Sequence, residues 1–501
     1  MTEWIRKNKG ALLRLAFVTA VIWAIWFPLV TSGNIRMDSD RMIHSPYLAM
    51  EQYIFEGRGG IMVLLQLFGL TGWHPLRSGV LFLLFFSVSC WMLYFSLRRQ
   101  AGWKKGYRAE LFLLLYGLSP IWAYHGYFVL QLAPVGFGMI LATGTACADA
   151  MLLSRKAGGW FRFRWELVAL LLLTAALMIY QTLIVCYLAV LLMLLFCRSA
   201  AGEKIGFKAL LPTMFRTLAA LVLYVVSSGL LSNFQGHGTI AAQVFWGSDS
   251  VAHCLYRIAL EIGATVLMYT SRYFSLFTLG FVLILILWIR KRKTDWKGNR
   301  ELLLIWLAMS VLPFALTLVL GNVTVPRSQF ALQLAAAFFP VCYMVLAPEK
   351  KHRVLCAVCA LAVLVQAGLA IRLTHTDNVR NEHDTKAPAA ISAELENISV
   401  SKPLVFIGVL KCEDQSILTE KSDVFGRSFF EWIWHEDDPS SATNPAVRLL
   451  NAYDGRKYTQ GIAYPEYIPA ALEISKDMPS YPEAGFVREE AEYTVIRLSD
   501  P

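Results

Sequence analysis

Charge is what this sequence has least of. Only 16% of its 501 residues are Asp, Glu, Lys or Arg, against about 25% in average soluble domains. Hydrophobic residues make up 56%, and the mean hydropathy is +0.49. These values exclude a disordered chain and an ordinary soluble protein. A disulfide framework is also missing. Seven of the nine cysteines (Cys90, Cys147, Cys186, Cys197, Cys342, Cys356 and Cys359) fall inside apolar blocks, and only Cys254 and Cys412 lie in aqueous segments. Cys356 and Cys359 form a C-x-x-C, but in an apolar helix and without the second pair that metal binding needs, so they read as packing. There is no P-loop, Rossmann glycine fingerprint, H-E-x-x-H or G-x-S-x-G, which removes the chemistries those motifs carry. No internal repeat or low-complexity tract is present.

What is present is a series of apolar blocks of roughly 18–24 residues, each able to cross a hydrocarbon core of about 30 Å. The first follows basic Arg6, Lys7, Lys9 and Arg14 and reaches Val30. It exceeds the 7–15 residues of a signal-peptide core, so an uncleaved first helix is expected. Further spans are expected near Ser78–Leu97, Ala109–Tyr124, Val135–Leu153, Glu166–Tyr180, Thr182–Cys197, Thr217–Leu231, Tyr273–Ile289, Glu301–Leu320, Ala331–Leu346 and Val354–Leu373. That makes about 11 transmembrane helices. Gly59–Leu70 is too short to span, and Ser250–Met268, with His253, Arg257 and Glu261, suits a helix lying on the outer face.

The overall charge of +10 divides unevenly. Residues 1–373 hold 34 basic against 14 acidic residues, +20, whereas 374–501 hold 12 basic against 22 acidic, −10. The basic excess sits in turns near 98–108, 154–164, 198–208, 290–300 and 348–353. It is an orientation signal, not the contiguous basic face of a nucleic-acid binder. It puts the N-terminus and these turns in the cytoplasm and, with an odd helix count, the C-terminal residues outside. From His375 the character changes: Pro403–Val409 and Tyr493–Leu498 read as strands, Pro445–Leu450 and Ala470–Ile474 as short helices. The expected organisation is a transmembrane domain over 1–373, with a first external loop at 31–77, and a small extracytoplasmic α/β domain over 374–501.

The first loop is the most informative stretch. It runs Arg36-Met-Asp38-Ser-Asp40-Arg41 and continues to Glu51 and Glu56-Gly57-Arg58. Ionisable groups so dense beside apolar segments are costly unless they serve something. A carboxylate held within hydrogen-bond reach of a hydroxyl acts as a general base, and arginine forks suit phosphate. Base plus phosphate clamp is the minimum set for moving a sugar from a lipid phosphate to an alcohol. The alternative is a solvated loop that only marks topology. Asp38-Ser-Asp40 also spells D-x-D, which holds a metal-bound nucleotide-sugar in cytosolic transferases; its external position argues against that role here. Arg327, in Asn322-Val-Thr-Val-Pro326-Arg327-Ser-Gln329, is placed either to neutralise a phosphate at headgroup depth or to snorkel at the interface. Tyr180 and Gln181, at a hairpin, and Tyr124 and His125 offer hydrogen bonds to a sugar or serve as polar turns. Asp149 is expected as an interfacial residue near its helix end.

Together, the first helix, Asp38, Asp40 and Arg41, the stretch to Glu51 and Glu56-Gly57-Arg58, the Tyr-Gln hairpin and the late Pro326-Arg327 loop resemble the bacterial glucosyltransferase II family of O-antigen-modifying enzymes, within the membrane-embedded GT-C superfamily. The likeness covers most of the chain and is strongest over 30–60 and 175–185, with Gly57-Arg58 its most specific part. The resemblance implies a GT-C-like fold in the bacterial inner membrane. It also implies an inverting transfer of a sugar, commonly glucose, from a polyprenyl-phosphate donor to a cell-surface glycan on the extracytoplasmic face. The catalytic acid of such enzymes lies in the first external loop and maps onto Asp38 or Asp40. Family members often have adjacent acids, whereas Ser39 separates them here, which leaves open which one is the base. Asp38 is favoured, with Asp40 positioning the acceptor or, secondarily, a divalent cation; no other cofactor is implied. Arg41, Arg58 and Arg327 would bind the donor phosphate, and Glu51, Glu56, Tyr124, His125, Tyr180 and Gln181 the substrate. A separate polyprenyl-phosphate sugar synthase and a flippase would supply the donor.

The rivals are a flippase or transporter of a lipid-linked saccharide and an envelope polysaccharide polymerase or ligase. A transporter should carry charge along several helices, yet here the spans are poor in charge. A polymerase or ligase should depend on a large late loop, whereas this chain concentrates its ionisable groups in the first.

Overall fold

In the computed structural model the apolar runs are helices, as their length and lack of charge require of any segment that must satisfy its own backbone in lipid. The structure describes residues 2–100, 102–103, 107–153, 159–203, 205–233, 244–267, 276–292, 296–346, 352–419, 425–434, 442–455, 458 and 466–500. Lys104, Lys105, Lys293, the 348–351 turn and the start of the Tyr273–Ile289 span lie outside them.

The first helix, α1 (Thr2–Val30), leads to three short ones, α2 (Ser39–His44), α3 (Pro46–Phe55) and α4 (Gly59–Leu67). Next come α5 (Pro75–Gln100), α6 (Arg108–Gly117), α7 (Ile121–Gly126), α8 (Val129–Leu152), α9 (Gly159–Ile179) and α10 (Leu183–Ala200). They are followed by α11 (Phe207–Asn233), α12 (Val251–Leu267), α13 (Phe277–Arg292), α14 (Trp296–Val311), α15 (Ala315–Leu320) and α16 (Phe330–Leu346). The last part holds α17 (His352–Glu394), β1 (Leu404–Ile407), α18 (Phe429–Ile433), α19 (Thr443–Asp454), α20 (Ile468–Ser475), β2 (Val487–Glu489) and β3 (Thr494–Arg497).

Among the described residues, seven helices are long and apolar enough to cross a membrane, and two more apolar helices, Phe277–Arg290 and Phe330–Met344, are shorter. The protein is therefore a polytopic, mostly helical membrane protein. Two expected spans are interrupted at prolines, which lack the N–H a helix interior needs. Ala109–Tyr124 divides into α6 and α7 at Pro120, and Glu301–Leu320 tightens into a 3-10 turn at Pro313. In the other direction, α17 runs for 43 residues, about 65 Å. That is twice the thickness of a bilayer core, and only its first half, to Leu373, is apolar.

The chain forms two compact units. The first comprises Met1–Thr31, Glu51–Phe68 and Leu76–Ile371, and the second Ser32–Met50, Gly69–Pro75 and Arg372–Pro501. In the first, α10 and α16 are buried along most of their length, while α11 and the apolar half of α17 expose leucines and valines such as Leu218, Val222, Leu361 and Leu364. Such faces suit lipid contact, because hydrocarbon solvates them as well as a protein core does. The second unit has a three-stranded sheet in the order β1-β3-β2. Strand β1 runs parallel to β3 with Leu404 opposite Thr494, and β2 runs antiparallel with Val487 opposite Ile496. Phe406, Phe430, Leu450 and Ile496 are among its core residues.

Two polar residues are held inside the protein. Asp149, near the end of α8, is buried: Tyr187 and Trp165 each donate to its carboxylate at 2.7 Å, and Arg216 pairs with it. Cys254 lies on the buried face of α12 with Ile258, Glu261 and Thr265.

Candidate functional site

The turn between α3 and α4 brings its two ionisable groups together. Gly57 has φ +70°, a left-handed conformation that glycine adopts without strain, and it reverses the chain so that Glu56 and Arg58 meet. The Arg58 Nη1–Glu56 Oε2 distance is 2.9 Å. The Gln52 amide donates to the other Glu56 oxygen at 3.1 Å. A Cβ on Gly60 would stand 2.9 Å from the Met178 carbonyl, so α4 rests directly on the last turn of α9. That approach delivers Arg58 to the Tyr180-Gln181 hairpin. Arg58 Nε donates to Gln181 Oε1 at 3.1 Å, and its guanidinium lies 4.8 Å from the centroid of the Tyr180 ring. The Gln181 amide nitrogen donates to the Glu56 carbonyl and to the Tyr224 hydroxyl, both at 2.8 Å.

Tyr180 continues the site into a group of rings. His125 is 6.2 Å from Tyr180, 4.9 Å from Phe330 and 5.4 Å from Trp122, centroid to centroid. His125 is buried, and its Nε2 has no hydrogen-bond partner among the described residues. The short helix α7 that carries it packs against the turn Pro326–Ser328. Within that turn the Arg327 guanidinium sits 4.1 Å from the centroid of Phe128. Gln329 fastens the turn by donating to Thr324 at 2.6 Å and to Glu261 at 3.3 Å. A chain of ring and cation contacts thus runs from Arg58 through Tyr180 to His125, beside Arg327, although these residues come from four separate stretches of sequence.

An apolar cavity of about 320 Å³ opens among the residues next to this cluster. Gly59 and Gly60, which follow Arg58, and Ile179, which precedes Tyr180, line it together with Phe137, Met178 and Leu231. Its lining is entirely apolar, so it accepts a hydrocarbon chain without leaving a polar group unsatisfied.

Of the expected substrate residues, the structure therefore brings Glu56, Arg58, Tyr180, Gln181 and His125 together near Arg327. Tyr124 is fully buried in α7, and Glu51 is half-buried on α3. Sequence reasoning missed Tyr224, whose only signal was a hydroxyl-bearing ring in an otherwise apolar span. Glu261, on the helix expected to lie on the outer face, is buried.

The first-loop acids belong to the second unit. Asp38 is half-buried at φ +64°, the only non-glycine with positive φ among the described residues, and it precedes α2. Asp40 is buried and paired with Arg448 Nε at 2.7 Å. Arg41 is half-buried, and its carbonyl accepts from Ser45 N at 2.6 Å. A divalent cation does not fit this pair of acids. Arg448 already occupies Asp40 Oδ2, and no group of three His, Cys, Asp or Glu able to hold a metal occurs among the described residues.

Two residues before Asp38, the fully buried Arg36 forks onto Asp377, with Nη2 at 2.5 Å from Oδ2 and Nε at 3.1 Å from each oxygen. Asn34 and Arg380 also donate to Asp377, at 2.8 and 3.1 Å. Asp377 lies in the polar half of α17, beyond the apolar segment. Burial alone would raise its pKa, but Arg36 and then Arg380 outweigh that and hold it at about 2. Asp384 extends the network: it accepts from Arg380 at 2.7 Å, Ser428 at 2.6 Å and the backbone of Phe429 at 2.8 Å.

The chain is thus a multi-pass membrane protein with a cationic, aromatic and amide-bearing cluster beside an apolar cavity. Residues 27–344, well over half of the chain, match the family model described as glucosyl transferase GtrII. The chain belongs to that family and is a glycosyltransferase. No curated protein and no solved structure matches it.

Proposed function

We propose that this enzyme transfers glucose from a polyprenyl-phosphate donor to a glycan acceptor of the cell envelope, on the extracytoplasmic face of the bacterial inner membrane. The observation that carries the reading is the continuity of the Arg58–Tyr180–Gln181 cluster with a wholly apolar cavity. A lipid-linked sugar phosphate has those two halves, and a nucleotide-sugar does not. Arg58 and Arg327 supply positive charge for the phosphate, whose negative charge grows as the sugar departs. The aromatic faces of Tyr180 and Phe330 suit a sugar ring, and His125 Nε2 suits one of its hydroxyls. Arg41 is assigned a third phosphate contact on the family resemblance alone.

Asp38 is the general base. It takes the proton of the acceptor hydroxyl as that oxygen displaces the lipid phosphate in line at the anomeric carbon, which inverts the configuration. Asp40 is unsuited to that role because Arg448 already holds its carboxylate. Residues 1–373 are assigned as a GT-C-like catalytic domain of eleven spans with a cytoplasmic N-terminus, and 374–501 as an extracytoplasmic α/β domain. The donor would come from a separate synthase and flippase.

The test is turnover in proteoliposomes with labelled polyprenyl-phosphate glucose and a crude envelope glycan, comparing wild type with Asp38→Asn. Asparagine tolerates the left-handed backbone at this position, so the substitution removes the base without adding strain. Transfer by wild type and its loss in the variant are expected. Full activity of Asp38→Asn refutes the base, and transfer from a nucleotide-glucose but not from the lipid donor refutes the donor.

A further inference from the structure

Asp38 sits at the centre of a short segment fastened on both sides. Two residues before it, Arg36 is fully buried, forked onto Asp377 and bonded to Ser32 Oγ at 2.6 Å. Two residues after it, Asp40 is buried and paired with Arg448 of α19 at 2.7 Å. Between these points the turn closes on itself. Arg36 N donates to Ser39 Oγ, and Ser39 N donates to the Arg36 carbonyl, both at 3.0 Å. Further support comes from Asn381, which accepts from Ile35 N at 2.8 Å, and from Arg380, which donates to the Ile35 carbonyl at 2.8 Å.

Of Arg36, Asp38, Ser39 and Asp40, only Asp38 is not buried, and it is the one in a left-handed conformation. Such a backbone persists where its surroundings over-determine it. Arg36, Ser39 and Asp40 supply those surroundings, and each is held by residues of the second unit.

We propose that Arg448 and Asp377 are positioning residues for the transfer reaction. Acting through Asp40 and Arg36, they clamp the first loop and present the Asp38 carboxylate in one fixed orientation. The inference rests on the reading of Asp38 as the base. It gives the C-terminal residues a part in catalysis: they hold the turn that carries the reacting group. It also moves Asp40 from the reacting groups to the supports. Both acids of the D-x-D string then matter, for different reasons.

A misplacement of about 1 Å in a reacting group is enough to lower a rate about 100-fold. Arg448→Ala frees one end of the clamp, so kcat should fall about 10- to 100-fold, while KM for the lipid donor stays within about twofold, because the donor cluster is untouched. The full-length protein is tested in proteoliposomes as Arg448→Ala, Arg448→Lys and the reversed pair Asp40→Arg/Arg448→Asp. Melting temperature and gel-filtration profile are recorded alongside. A kcat loss in Arg448→Ala, recovered at least in part by Arg448→Lys or by the reversed pair, supports the clamp. Wild-type kcat in Arg448→Ala, with Asp38→Asn inactive, overturns the clamp and leaves the base reading standing. An active Asp38→Asn overturns the base reading, and the clamp with it. If Arg448→Ala does not fold, Arg448→Lys and the reversed pair decide: recovery of fold without recovery of kcat in both overturns the proposal.

Discussion

Replacing Asp377 by alanine tests whether the network around the first loop has the energetic weight its geometry implies. Asp377 and the guanidinium groups of Arg36 and Arg380 have no exposed side-chain surface. Removing the carboxylate takes from the buried Arg36 the group its guanidinium forks onto, whereas Arg380 keeps Asp384 at 2.7 Å. Breaking a buried pair by deleting one partner costs about 3–5 kcal/mol. With Arg380 keeping a carboxylate, the lower end applies, about 3 kcal/mol. For a unit of this size that corresponds to roughly 6–12 °C in melting temperature.

The expected signature is local. Deuterium uptake by the full-length protein in detergent should rise in peptides covering 32–44 and 374–394 and stay unchanged in α8 and α10. The double variant Arg36→Met/Asp377→Leu should recover part of the loss, since it leaves no unpaired charge. The pH dependence has a definite sign. Asp377 is held at about 2, below its ordinary value of 3.8. Its contribution is therefore complete above pH 4 and is lost as pH falls towards 2. Wild type should lose about 2 kcal/mol across that window from this group, and Asp377→Ala should lack that increment. Equal melting temperatures for wild type and Asp377→Ala, with unchanged uptake at 32–44, would refute the reasoning.

Two further predictions concern the cluster proposed to bind the donor. Arg58→Lys keeps the charge but loses the planar fork that bonds Gln181 and Glu56 and stacks on Tyr180; lysine does not replace such a group. Donor KM should rise about tenfold or more, equivalent to about 1.4 kcal/mol, and an unchanged KM would remove Arg58 from the donor site. Tyr224→Phe deletes the hydroxyl that accepts from Gln181 at 2.8 Å, a loss of about 1 kcal/mol. Steady-state kinetics should show a several-fold fall in kcat/KM with normal expression, and no change would mean that Gln181 is held well enough by Glu56 and Arg58.

Membrane character, the family and the Glu56-Gly57-Arg58 and Tyr180-Gln181 motifs were legible in the sequence because each is a local property. A run of apolar residues has nowhere to go but lipid or a core, and a glycine between two charges favours a turn. The stripe Asp377, Arg380, Asn381 and Asp384 was legible in principle too, since its spacing puts those residues on one face of a helix. What they would face was not.

Partnerships depend on which distant segments meet, and that only the tertiary structure decided. Arg448 and Asp40 stand 408 residues apart and Arg36 and Asp377 stand 341 apart, so no local spacing marks either pair. The sequence favoured Asp38 over Asp40 on the family resemblance, with no partner visible for either. In the folded chain Asp40 is buried against Arg448, whereas Asp38 is half-buried with a left-handed backbone. Residue types set what chemistry is available along the chain; low-dielectric burial and the identity of the neighbour set the surroundings in which each group stands.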